Sequence, residues 1–194
     1  MTGARPLDYG WWLASRASGI VALVLVTVSV GIGLAMAGGV LRKPGLKRTL
    51  MSLHEQAALA GLVAISVHGA TLLGDAWLHP TVTQIVVPFT LTYRTVFTGL
   101  GVVAGYLAAL LGLSFYVRRR IGARLWRKLH RATVVVYALG VVHAIGAGTD
   151  ATTSWLRAFL VITGVPIAAL FATRVTGLAR RRRVRALVPR TAER

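Results

Sequence analysis

Five apolar stretches dominate this chain, at 12–37, 51–74, 95–117, 130–148 and 155–174. Each is close to the roughly 20 helical residues needed to cross about 30 Å of hydrocarbon. No other feature constrains the fold as strongly. In lipid a backbone must satisfy its own hydrogen bonds, so separate runs of this length fold as spanning helices. Composition agrees: charged residues make up 14% of the 194, against about a quarter in a soluble domain. The sequence predicts an all-α integral membrane protein, a bundle of five transmembrane helices. The first stretch follows a polar leader (1–11) and exceeds a signal-peptide core, so it is read as a retained helix. Trp11 and Trp12 mark its interfacial edge, and Gly19, Gly31 and Gly33 permit close helix approach.

The net charge of +18 comes from 23 Lys and Arg against 5 Asp and Glu. Its placement matters more than its size. The basic residues gather in RKPGLKR (42–48), in RRRIGARLWRKLHR (118–131) and in the tail with Arg180 to Arg183, and five crossings put all three clusters on one side. The other side has Arg5, Arg16, Arg94 and Arg157 beside Asp8, Asp75 and Asp150. The positive-inside rule makes the basic side cytoplasmic, with the N-terminus out and the C-terminus in. A basic face against anionic lipid accounts for the charge without any nucleic acid. The loop between the second and third helices, DAWLHPTVTQIVVPF, is too short and too interrupted by proline to be a sixth crossing. Pro166 is expected to kink the fifth helix or to be absorbed by its neighbours.

There are no cysteines. That excludes disulfides, iron–sulfur clusters and covalently attached c-type heme, leaving His and Met as the protein ligands for any heme. Histidine within a span is costly and usually functional. Four of the five histidines fall in two helices: His54 and His68 in the second, His130 and His143 in the fourth. Both helices enter from the basic side, so His54 and His130 share an inner depth, and His68 and His143 an outer one. Each depth offers two ligands, enough for one bis-histidine heme.

Fourteen helical steps leave His54 and His68 about 40° apart on one face and about 21 Å apart along the axis. Gly61 lies midway on that face, either giving room to porphyrin edges or packing helix on helix. Thirteen steps put His130 and His143 about 140° apart on an ideal helix. Either the fourth helix is irregular, near Gly140, or its ligands approach from different sides. The competing readings are buried histidines forming a proton relay or transporter path, and a structural membrane subunit. Zinc fits poorly, because it wants about four clustered ligands.

The segment RRRIGARLWRKLHRATVVVYALGVVHAIGAGTD resembles the ferric reductase-like transmembrane domain family. That family includes ferric reductases, NADPH oxidases and the heme-binding membrane subunit of the periplasmic methionine sulfoxide reductase system. The resemblance rests on a basic loop leading into W-x-x-L-H-R (Trp126, Leu129, His130, Arg131) and a second histidine, His143, thirteen residues on. LHEQAALAGLVAISVHG, with His54 and His68, is similar to its second-helix pattern. The resemblance implies a b-type cytochrome with two hemes whose irons are held by His54, His68, His130 and His143. It implies a multi-pass protein of the bacterial plasma membrane, divided into an outer leader (1–11), the heme domain (12–175) and a basic cytoplasmic tail (176–194).

Heme propionates want Arg or Lys at the membrane surface. Arg127, Lys128 and Arg131 are placed for an inner heme, Arg16 and Arg94 for an outer one. The 194 residues contain no FAD- or NADPH-binding module of the kind that ferric reductases and NADPH oxidases carry. The expected donor is therefore a separate flavoprotein, a bound flavin or a quinol, the last making the chain a quinol-linked diheme cytochrome b. The expected outer acceptor is ferric iron, oxygen or a redox protein. His79, beside Trp77 and Asp75 and across the bundle from Asp150, is either part of that outer surface or an ordinary exposed loop residue. Tyr106 and Tyr137 are read as bundle packing or heme-pocket lining.

Overall fold

A computed structural model describes residues 6–39 and 45–187, with side chains described for 9–39 and 45–177. The described chain runs α1 (Pro6–Gly38), α2 (Leu46–Thr71), α3 (Val82–Val86), α4 (Thr95–Leu113), α5 (Arg118–Ile121), α6 (Ala123–His130), α7 (Thr133–Ala147) and α8 (Ser154–Leu187). A 3₁₀ turn, Leu72–Gly74, finishes α2. Five spans are long and apolar enough to cross a membrane: Tyr9–Gly38, Leu46–Gly74, Thr95–Leu113, Ala123–Ala147 and Ser154–Gly177. The expected all-α, five-helix architecture is what the described residues form.

Three boundaries differ from the sequence reading. Helix α1 begins at Pro6, so residues 6–11 of the expected leader are helical; proline suits a first helical position, where its missing N–H has no partner to lose. Residues 1–5, 40–44 and 188–194 lie outside the described residues, and with them Arg5, the start of the first basic cluster and the end of the tail. Helix α8 continues beyond Gly177 to Leu187 with Pro166 inside it, so most of the expected basic tail is a helical extension of the fifth span. The fourth span is interrupted, and the break falls at Arg131–Ala132, away from Gly140. There the amides reach back three residues, Ala132 to Leu129 (2.8 Å) and Val135 to Ala132 (2.9 Å). Such 3₁₀-like winding turns about 120° per residue instead of about 100°. The extra rotation carries His130 towards the face of His143 and so reduces the mismatch of the thirteen-residue spacing.

Helix α1 packs along α2, and α4 along α7; α1 also touches α7 and α8, and α2 touches α4. Both main pairs are antiparallel. The loop from Asp75 to Arg94 lies against α2 and α4, with Ile85 beside Gly69, Phe89 over Gly99 and the Val86 carbonyl bonded by Tyr106. Its short α3 is started by a capping box of Thr81 and Gln84. The buried core is thin. Its main cluster is Val30, Leu34, Tyr137 and Ile167, joining α1, α7 and α8. Many large apolar residues face outwards instead, Leu110 at 68% and Ile162 at 70% exposure among them. A surface like this suits lipid, where packing and not water exclusion holds helices together.

That distinction is testable by unfolding in detergent micelles. Ile167→Ala, which empties space in the α1–α7–α8 cluster, is expected to lower stability by about 2 kcal/mol or more. Ile162→Ala, at the lipid-facing surface, should stay within about 0.5 kcal/mol.

Candidate functional site

The antiparallel packing assembles four histidines into two layers. His54 of α2 meets His130 of α6, with ring centroids 5.9 Å apart and planes at 86°. His68 of α2 meets His143 of α7, at 6.1 Å and 74°. The pairing by depth read from the sequence is the pairing the helices form. Among the described residues, no group of three or more His, Cys, Asp or Glu is placed to hold a metal ion. The four histidines come as two pairs.

Each α2 histidine is seated on α1. His68 Nδ1 donates to the Ser15 carbonyl at 2.8 Å, and His54 Nδ1 donates to the Ser29 carbonyl at the same distance. A carbonyl can only accept, so Nδ1 carries the proton and Nε2 keeps its lone pair. Both serine hydroxyls reach back to the same histidine's backbone carbonyl, Ser15 to His68 at 3.3 Å and Ser29 to His54 at 3.3 Å. Four residues beyond each serine is a glycine under the ring. A Cβ on Gly19 would stand 3.0 Å from His68 Nδ1, and one on Gly33 3.2 Å from His54 Cε1. Helix α4 seats His143 in the same way: Nδ1 donates to the Phe97 carbonyl at 2.9 Å, and Gly101 lies under the ring with no room for a side chain.

His130 differs. Its Nδ1 is buried without a well-formed hydrogen bond, near the Leu111 backbone. The ring instead stacks on Trp126, with centroids 4.9 Å apart and planes at 23°. Trp126 Nε1 donates to Ser114 Oγ (3.1 Å), which donates to the Leu111 carbonyl (2.7 Å), so the indole is fixed to the end of α4. Tyr116 beside it donates to Glu55 Oε1 on α2 at 3.3 Å, and desolvation together with that carboxylate raises the phenol above its ordinary value.

The remaining expected site residues have definite positions. Arg16 makes a two-pronged contact with Asp150, its Nε donating to Oδ2 at 2.7 Å and its NH2 to Oδ1, and it also lies over the Trp12 ring. Arg94 has a left-handed backbone (φ 42°) and donates to the Gly146 carbonyl at 2.8 Å, where a cation complements the end of α7. Arg131 is exposed at the break between α6 and α7. Gly61 is buried against Leu25 and Val26 of α1, where an added Cβ makes only ordinary contact. His79 is exposed, and Asp75 beside it is buried, accepting from the amides of Trp77 and Leu78. Tyr106, about half exposed, donates to the Val86 carbonyl (2.5 Å), and Tyr137 packs in the main core cluster.

Sequence reasoning noted Gly19 and Gly33 but not their partnership with Ser15 and Ser29. The signal was present: Ser-x-x-x-Gly occurs at 15–19 and again at 29–33. The interval of 14 residues equals that between His54 and His68.

A multi-pass helical membrane protein with paired intramembrane histidines is the class this fold and site define. Within that class the chain belongs to the family described as ferric reductase like transmembrane component, whose sequence model matches residues 17–141. The match takes in His54, His68 and His130 and ends two residues before His143. Membership marks the chain as a membrane redox component. No solved structure matches it.

The Arg16–Asp150 pair ties α1 to the turn between α7 and α8. Asp150→Asn should weaken the contact and lower stability by about 1–3 kcal/mol, less than for a fully buried pair because Arg16 is partly exposed. Thermal unfolding in detergent, repeated at high salt, checks this; the loss should persist in salt because Asp150 is buried.

Proposed function

We propose that this chain is a membrane-embedded b-type cytochrome that carries electrons across the bilayer through two bis-histidine hemes. The observation that carries the reading is the pairwise approach of the four histidines. An imidazole nitrogen lies about 2 Å from a metal it ligates, and the ring centre about 1 Å further. Two imidazoles on opposite sides of one iron therefore have centroids about 6 Å apart, as both pairs here do. A donor set of two suits an iron whose other positions come from a macrocycle. The seating of His54, His68 and His143 through Nδ1 leaves Nε2 directed to that task, the usual arrangement for a metal-bound histidine.

Heme held here would supply one-electron redox chemistry, and a site offering two histidines for each group would suit electron transfer over oxygen binding. The chain's residues do the rest. His54 and His130 hold the inner group, and His68 and His143 the outer one. The helices exclude water, fix the separation and set ligand orientation. Arg131, Arg127 and Lys128 on the inner side, and Arg94 and Arg16 on the outer, are the cations available to propionates, Arg16 only in competition with Asp150. Gly61 packs against α1 midway between the two layers, where an added Cβ would make only ordinary contact. The distribution of Lys and Arg supports the N-terminus out and the C-terminus in, in a bacterial plasma membrane. Donors of the flavoprotein, flavin or quinol class act at the basic face. Ferric iron, oxygen or a redox protein accepts at the outer face. The division into leader (1–11), heme domain (12–175) and basic tail (176–194) belongs to the same reading, with helix extending into both ends.

Heme content and spectra test the proposal. Purified protein should show b-type absorbance at two hemes per chain. His54→Ala and His130→Ala should lose one heme, and His68→Ala and His143→Ala the other. Because the paired rings are near perpendicular, the ferric protein should give the strongly anisotropic low-spin EPR signal of crossed axial imidazoles. Colourless protein after heme supplementation would point to a histidine proton relay and sink the cytochrome.

A further inference from the structure

The seats of the four histidines follow one rule with one exception, and the rule has a physical cause. A helix carbonyl already accepts from the amide four residues on, but it has a second lone pair. Reaching that lone pair from a neighbouring helix requires access past residue i+4, whose Cβ tilts back towards the N-terminus and over the carbonyl. Glycine at i+4 clears the way. Ser15 with Gly19, Ser29 with Gly33 and Phe97 with Gly101 each combine an accepting carbonyl with such a glycine.

The fourth seat keeps the spacing and loses the glycine. Leu111 follows Phe97 by 14 residues on α4, as Ser29 follows Ser15 on α1, but the residue at i+4 is Phe115. Its ring lies 5.9 Å from that of Trp126, which stacks on His130. There the Leu111 carbonyl, in the last turn of α4, accepts from Ser114 Oγ at 2.7 Å, the Phe115 amide turns to Gly112 at 3.2 Å, and aromatic packing holds the imidazole ring. His130 Nδ1 is buried without a well-formed bond.

We propose that Ser15, Gly19, Ser29, Gly33 and Gly101 are positioning residues that lock His68, His54 and His143 into one ring orientation and one tautomer. His130, held by Trp126 instead, makes the inner heme electronically unequal to the outer. This rests on the bis-histidine reading above. A donor bond from Nδ1–H to a carbonyl makes Nε2 a stronger ligand and favours the oxidised metal. The outer pair has two such bonds and the inner pair one. Loosening a seat should therefore raise the potential of the heme in that layer alone.

The experiment is a redox titration with parallel EPR on detergent-purified holoprotein. Gly33→Ala should raise one midpoint potential and shift its low-spin line. Gly19→Ala and Gly101→Ala should do the same to the other. Heme loss in His54→Ala and His68→Ala assigns each signal to its layer. Ser15→Ala and Ser29→Ala remove only a hydroxyl and should give smaller shifts in the same two layers, a check that survives if a glycine variant fails to fold. Trp126→Leu should move the inner signal only. The proposal is overturned if these substitutions change both hemes alike, or lower stability with both potentials and both lines unmoved. Absence of two low-spin heme signals in the unsubstituted protein would instead overturn the cytochrome reading itself.

Discussion

An imidazole inside a lipid-embedded bundle has one N–H to satisfy and no water to satisfy it. Here the answer is a carbonyl borrowed from the neighbouring helix, at 2.8 Å for His54 and His68 and 2.9 Å for His143. Much else depends on that bond. It fixes which ring nitrogen carries the proton, and so which one keeps a free lone pair. It requires α1 to lie close against α2 and α4 against α7, which explains why glycine stands under the rings. A side chain at Gly19, Gly33 or Gly101 would meet the imidazole before it met the carbonyl.

The topology follows from the same pairing. Antiparallel α1 and α2 bring Ser15 to His68 and Ser29 to His54; antiparallel α4 and α7 bring Phe97 to His143. Contacts of α1 with α7 and of α2 with α4 then join the two helix pairs, and the histidines meet across that junction in two layers. The fourth span reaches both layers only by breaking. Tight winding at Arg131–Ala132 lets α6 present His130 on Trp126 while α7 presents His143 on α4. In the His54–His130 layer one ring is thus seated by a backbone hydrogen bond and the other by aromatic packing, whereas both rings of the His68–His143 layer are seated by backbone hydrogen bonds.

Polar residues at the rim complete the frame. Arg16 and Arg94 stand out in the sequence as cations in an apolar setting. Arg16 finds its partner in Asp150, and Arg94 in the carbonyl end of α7. At the opposite end of α1, Arg174 of α8 donates to the Ala37 carbonyl. Each of these cations closes a helix end or a helix junction.

The sequence by itself determined the five crossings, because hydrocarbon forces any apolar run of that length to satisfy its backbone as a helix. It also determined which histidines share a depth, since axial rise per residue is nearly constant and the basic clusters orient the spans. It marked the family through the basic loop, Trp126, His130 and His143. It did not determine the angular fit of His130 and His143, which depends on local winding at a break with no proline or glycine in it to announce its place. Nor did it join Ser15 to His68 or Arg16 to Asp150: those partners lie 53 and 134 residues apart, and only helix packing brings them within reach. The 14-residue repeat in α1 was legible as a pattern, but its meaning needed the opposing helix. A carbonyl has no sequence signature, and its use as an acceptor becomes visible only when a ring is seated on it.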